Sequence, residues 1–224
     1  KKNQEFVKEL NENFKISISE YNFDLNDINQ TVEVAKKITR DAEKIGMKIN
    51  LLINNAGSIK TGLFMMDKIE NFKEIFEINF FSQVFFTQAI IPALKKNDNS
   101  SIINISSTSA LEHDMGRLSY NTSKAALISF SKSLSKELSM FKIRVNCIAP
   151  GLIETEMLRK NTSEKVIDEI KKKNISKRTG NVEEVSELVV FLASHKAKYI
   201  NGQVIRLDGG MFWNGKYKKN RDFL

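Results

Sequence analysis

Cysteine and histidine are nearly absent, with one Cys and two His in 224 residues. The lone Cys147 excludes an internal disulfide. Its place in the apolar run VNCIAP reads as a buried thiol in a reducing, cytoplasmic compartment. His113 and His195 lie too far apart in sequence for metal-ligand spacing, so no metal site is expected. No apolar run reaches the roughly 18 residues that a membrane span needs. The opening KKNQEFVKELNENF lacks the apolar stretch of a signal peptide, so no membrane association is expected. There is no internal repeat, and no linker rich in Pro, Gly or Ser. A basic stripe is missing too. The net charge is +8, but the lysines are scattered over amphipathic segments and no nucleic-acid motif accompanies them. That pattern reads as a solvated surface with no nucleic-acid partner. The exception is a basic tail, residues 215–224, where Lys216, Lys218, Lys219 and Arg221 face only Asp222 and could touch an acidic partner or a neighbouring subunit.

What is present is enough apolar material, 41% of residues, for one sizeable core. Short apolar runs alternate with long amphipathic ones. Lys15–Phe23, Ile49–Gly57, Ser101–Ser107, Arg144–Gly151 and Gly202–Gly210 read as strands, most of them buried on both faces. Asp27–Ile45, Asp67–Lys96, Ser119–Phe141, Ser163–Lys173 and Asn181–Ser194 read as helices. Asp67-x-x-Glu70 and Asn181-x-x-Glu184 have the form of capping boxes. This alternation predicts an α/β fold: a doubly wound parallel sheet with helices on both faces, spanning 1–224 as one domain.

Such sheets bind ligands beyond the carboxyl ends of their strands. Small and polar residues fall there repeatedly. Asp24-Leu25 follows the first run, Asn54-Asn55-Ala56-Gly57 ends the second, Ser106-Ser107 the third and Pro150-Gly151 the fourth. Tyr120 and Lys124 stand one helical turn apart in LSYNTSKAALISF, on one face. Alone, a Tyr-x-x-x-Lys pair is a weak signal. Leu127, Phe130 and Leu134 follow at helical spacing and read as packing, in the core or at a subunit contact; so does the run Phe80, Phe81, Phe85 and Phe86.

Taken in order, Asp24, Asn54-Asn55-Ala56-Gly57, Asn79, Ser107, Tyr120 to Lys124, and Pro150-Gly151 with Thr155 resemble the short-chain dehydrogenases/reductases. The nearest likeness is to the 3-oxoacyl-(acyl-carrier-protein) reductase group. The resemblance covers Phe14 to Trp213 and implies a Rossmann-type domain. It also implies an NAD(P)-dependent oxidoreductase that moves hydride between nicotinamide and a carbonyl/alcohol pair. By the resemblance, Tyr120 is the general acid or base and Lys124 tunes it and holds the nicotinamide ribose. Ser107 binds the substrate oxygen, and Asn79 holds a water that connects Lys124 to solvent. Asn54, Ala56 and Gly57 with Pro150 and Gly151 border the cofactor. Asp24 and Leu25 line its adenine, and Ile153 and Thr155 anchor its amide. A phenol titrates near 10, so an ammonium and a positive nicotinamide ring beside it are expected to lower that value. The family builds dimers through helices matching 67–96 and 119–141, so a homodimer or homotetramer is expected. The segment 152–173 corresponds to a substrate lid.

The sequence departs from the family in two respects, the first at its start. The glycine-rich loop T-G-x-x-x-G-x-G is absent, along with the first and second strands that flank it. Either the sequence is N-terminally incomplete, or the chain is a member that holds pyrophosphate differently. The segment that separates NAD from NADP lies in the same gap, so either cofactor remains open. The substrate is open as well. Asp98 and Phe141 stand where carrier-binding members place arginine, and Glu112, His113 and Asp114 are polar for an acyl pocket. A 3-oxoacyl thioester and a sugar or polyol both remain, as does a non-catalytic binding or scaffold subunit of the same fold.

Overall fold

A computed structural model describes residues 16–211 and, ahead of them, residues 7, 9, 10, 13 and 14. The basic tail lies outside the described residues. Helix α1, Ile28–Lys44, starts where Asp27 caps it, its carboxylate accepting from the Gln30 N–H at 3.0 Å. Four strands follow: β1 (Leu51–Asn54), β2 (Ser101–Ile105), β3 (Arg144–Pro150) and β4 (Val204–Leu207). They make one parallel sheet in the order β1-β2-β3-β4. The register sets Asn54 opposite Asn104, and Asn104 opposite Cys147.

Parallel neighbours need crossovers, and the helices supply them. Between β1 and β2 run α2 (Ile69–Phe76), a π-helical turn (Glu77–Phe81) and α3 (Ser82–Leu94). Short α4 (Ser109–Glu112) and long α5 (Leu118–Glu137) join β2 to β3. Helices α6 (Glu156–Asn161), α7 (Glu164–Lys173) and α8 (Val182–Ala193) lie between β3 and β4. The two faces of the sheet are separate cores. Ile102, Leu52 and Val145 pack with Ala35 of α1, Ile90 and Leu94 of α3 and Leu134 of α5. The alternate residues Ile103, Ile105 and Ile148 pack with Val189 and Leu192 of α8. Burial on both faces explains why β2 carries three isoleucines and no charged residue. Truncating the fully buried Ile102 to alanine would cost about 2–5 kcal/mol.

Two local expectations are corrected. The run expected as a strand over Lys15–Phe23 forms none from Ile16 onward, because no described strand lies beside it to complete a ladder. It is held instead by side chains, with Phe23 stacked on Phe86 of α3 at 6.2 Å. The Asp67/Glu70 capping box is not made. The helix begins one residue later, with Lys68 at the cap, and the Asp67 carboxylate accepts from the Asn71 side chain. The Asn181/Glu184 box is complete, both bonds being 2.9 Å.

Candidate active site

The site gathers at the carboxyl ends of β1, β2 and β3. The turn after β1 is braced from beneath. Asn54 is buried, and its amide donates to Asn104 Oδ1 at 2.7 Å and to Thr87 Oγ1 at 2.9 Å. Asn104 donates to Ser131 Oγ at 2.7 Å, and Gln83 reaches up to the Ala56 carbonyl at 2.6 Å. The Asn54 and Asn104 amide nitrogens thus have partners inside the core, where an orphan would cost about 1–3 kcal/mol. Asn54 holds the turn from inside, while Asn55 and Ala56 are exposed on its outer side.

Asn79 sits in the π turn and is fully buried. Its amide clasps the Ser58 backbone, accepting from the N–H at 2.8 Å and donating to the carbonyl at 2.9 Å, and it donates to Ser123 Oγ at 3.1 Å. A π turn inserts a residue into a helix and so re-aims one side chain. Here it aims Asn79 at the segment leaving β1.

Lys124 is buried beside them. Its ammonium donates to the Ile105 carbonyl at 2.8 Å, and burial brings it down to about 8. A Cβ on Gly57 would stand 3.3 Å from this nitrogen, so any side chain there would crowd the ammonium. Ser107 follows β2. Its hydroxyl oxygen accepts from the Ser109 N–H at 3.1 Å, and the hydroxyl lies beside the Tyr120 phenol, whose titration it draws down. Tyr120 lies in the first turn of α5.

The expected lowering of the Tyr120 phenol by Lys124 is not seen. Burial pushes the phenol up; the Ser107 hydroxyl and the Arg117 charge pull it back in part, and Asp114 adds to the rise. The Lys124 ammonium is directed at Ile105 instead.

The remaining expected residues are spread around this centre. The Pro150 carbonyl accepts from Thr108, next to Ser107, at 2.9 Å. Gly151 lets β4 cross closely, since a Cβ there would lie 2.7 Å from Asp208 Cβ. Ile153 forms a backbone bridge to Gly180. Thr155 spends its hydroxyl capping α6, accepting from Leu158 N–H at 3.2 Å. Asp24 folds the turn before α1, accepting from the Asn26 N–H at 2.9 Å, with Leu25 half-buried beside it. Cys147 is buried and free, its thiol pushed up to about 11 by burial.

Sequence reasoning missed the supporting residues Ser58, Gln83, Thr87, Asn104 and Ser131. Asn104 gave a signal: an asparagine amid isoleucines in a strand must find a buried partner.

The family model described as "Enoyl-(Acyl carrier protein) reductase" matches residues 1–212. The chain is 35% identical to a 3-oxoacyl-[acyl-carrier-protein] reductase of Thermotoga maritima over 87% of this chain and 77% of that protein. It is 36% identical to the same-named protein of Escherichia coli K12 over 74% of this chain and 67% of that one. This chain belongs to the short-chain dehydrogenase/reductase family. Among solved structures it is similar to a short-chain dehydrogenase/reductase, glucose/ribitol dehydrogenase, from Brucella melitensis. The TM-score is 0.80 and the identity 26%, covering 88% of this chain and 77% of that one. The short-chain dehydrogenase/reductase described here is accordingly an NAD(P)-dependent oxidoreductase on a Rossmann-type sheet, using NAD or NADP. No described helix is long and apolar enough to cross a membrane.

Proposed function

We propose that the enzyme interconverts a 3-oxoacyl thioester and its 3-hydroxy form, with Tyr120 as the proton donor and acceptor. The observation that carries this reading is the placing of the Ser107 hydroxyl beside the Tyr120 phenol, next to a buried lysine whose nitrogen lies against the Gly57 turn. The residues fit a nicotinamide riboside. Lys124 uses one of its three donors on Ile105 and sits against a backbone with no side chain in the way. The ribose hydroxyls would be held there, with Asn55–Gly57 lining the approach and Ile153 and Thr155 beside the ring. When bound, the cofactor supplies hydride to the carbonyl carbon. Tyr120, held protonated by burial, gives its proton to the carbonyl oxygen, which Ser107 positions. Lys124, at about 8, exchanges protons near neutral pH.

The acyl reading is favoured over sugar or polyol by what the polar loop does. The Glu112 carboxylate is bonded to Arg206, and Asp114 accepts from Ser109 and faces Arg117. Two of the three groups that suggested a hydroxylated substrate are therefore engaged within the protein. Around them the loops are apolar: Leu63, Phe64, Met65, Met66 and Met115 are all exposed, and the Gly62 N–H donates to the Gly116 carbonyl at 2.9 Å, joining the two loops. Residues 152–173 serve as the lid over this mouth. Phe76, Phe80, Phe81 and Phe130 form one aromatic face across α2, the π turn and α5, the face on which a homodimer would close.

The test is turnover of a 3-oxoacyl thioester and of a polyol panel by the full-length protein with NADPH and NADH, and with Tyr120→Phe. Thioester turnover falling at least about 10²-fold in the variant supports the reading. Turnover that survives Tyr120→Phe refutes the mechanism, and turnover of polyols alone refutes the substrate. Cofactor binding with no turnover of either would restore the scaffold alternative.

A further inference from the structure

Polar groups run in unbroken contact from the Ser107 hydroxyl to the turn between α6 and α7. Ser109 links to Ser107 through its N–H, and its own hydroxyl donates to Asp114 Oδ2 at 2.9 Å. Asp114 lies 3.7 Å from Arg117 Nη1, and Arg117 Nη2 donates to Thr162 Oγ1 at 3.0 Å. The loop carrying this chain is pinned to α5, with Asn121 donating to the Asp114 carbonyl from its side chain and to the Arg117 carbonyl from its backbone, both at 2.8 Å. Arg117 is the residue before α5, three positions ahead of Tyr120. Thr162 closes α6 within the 152–173 segment.

The plain alternative is a surface arginine at a helix start. As an ion pair with a half-exposed aspartate it adds little to folding. What that alternative leaves unexplained is the position, since one guanidinium spans from the catalytic loop to the lid. We propose that Arg117 is a positioning residue that ties the lid to the Ser107–Tyr120 pair, so that lid closure and alignment of the pair are one event. The proposal rests on the reading of Tyr120 given above. The charged groups around the phenol are Arg117 and Asp114 ahead of it and Lys124 one turn on. On the lid, Arg159 is engaged with Glu154 and Glu164, leaving the uncharged Thr162 to meet Arg117.

The experiment compares the full-length protein with Arg117→Gln, Arg117→Lys, Thr162→Val and the double variant Arg117→Gln/Thr162→Val. Two readouts are taken: amide hydrogen exchange over 156–173, and the pH profile of kcat/KM. Arg117→Gln and Thr162→Val should each speed lid exchange about 2- to 30-fold, and the double variant no more than Arg117→Gln alone. The two variants that carry Arg117→Gln should move the alkaline limb to higher pH, because they remove a positive charge that favours phenolate; Arg117→Lys and Thr162→Val should keep the limb in place. Wild-type lid exchange in Arg117→Gln, or effects of the two sites that simply multiply, would overturn the proposal. Should Tyr120→Phe prove fully active, the mechanism fails on its own, and the exchange data still decide whether Arg117 holds the lid.

Discussion

Gly57 and Lys124 share one space: a methyl on the glycine would meet the lysine nitrogen at 3.3 Å and the Asn79 amide oxygen at 3.5 Å. Gly57→Ala should therefore fold, since Gly57 is not among the residues with positive φ, but push the ammonium off its place. Cofactor affinity should drop about 10-fold, near 1.4 kcal/mol. Titration by nicotinamide fluorescence measures this. An unchanged Kd would mean that the turn and Lys124 do not face the same ligand.

Lys124 should be a source of instability as well as of chemistry. Burial lowers it from 10.5 to about 8, so the unfolded chain holds that proton more tightly than the folded one. The penalty is fully present below pH 8 and fades as the pH rises toward 10.5. At about 1.4 kcal/mol per unit, Lys124→Met should stabilise the fold at pH 7 by about 2–3 kcal/mol, after about 1 kcal/mol is lost at the Ile105 carbonyl. Urea midpoints at pH 7 and pH 10 test it, and a gap that stays constant with pH would refute it.

The buried amide pair makes a separate prediction. Asn54→Ala and Asn104→Ala should each cost about 1–3 kcal/mol by stranding partners in the core, and together less than their sum. Strict additivity in denaturant unfolding would show that the 2.7 Å bond between them contributes nothing.

Glu112 should give the fold an acid-side slope. Burial lifts its carboxyl from 4.5 to about 7 against the pull of Arg206, so the folded state holds the proton more tightly. Its contribution to stability is greatest below pH 4.5 and declines between 4.5 and 7. Glu112→Gln should flatten the dependence of Tm on pH across that window. A variant whose Tm falls as steeply as the wild type would place the slope elsewhere.

The alternating pattern carried most of the fold because burial on both faces leaves a mark that a sequence shows directly. β2 carries three isoleucines, β3 is buried from Arg144 to Ala149, and α8 carries a complete capping box. Where the reading failed, the deciding partner lay elsewhere in the chain. Ile16–Phe23 has strand composition, but a strand exists only beside another. Asp67 has the chemistry of a cap, but the Asn71 side chain took it. The site was legible as a set of residue types at strand ends. What they touch was not: Thr155 caps a helix, Glu112 reaches 94 positions along the chain to Arg206, and Tyr120 answers to burial and Arg117 rather than to Lys124.

The π turn at Glu77–Phe81 makes this stretch intolerant of a change in length. Each residue gained or lost between Ile69 and Asn79 would rotate the asparagine by about 100° and carry it off the Ser58 backbone. Substitutions on the outer face of α2 can accumulate freely, while a single-codon insertion or deletion there would unseat the turn that borders Lys124.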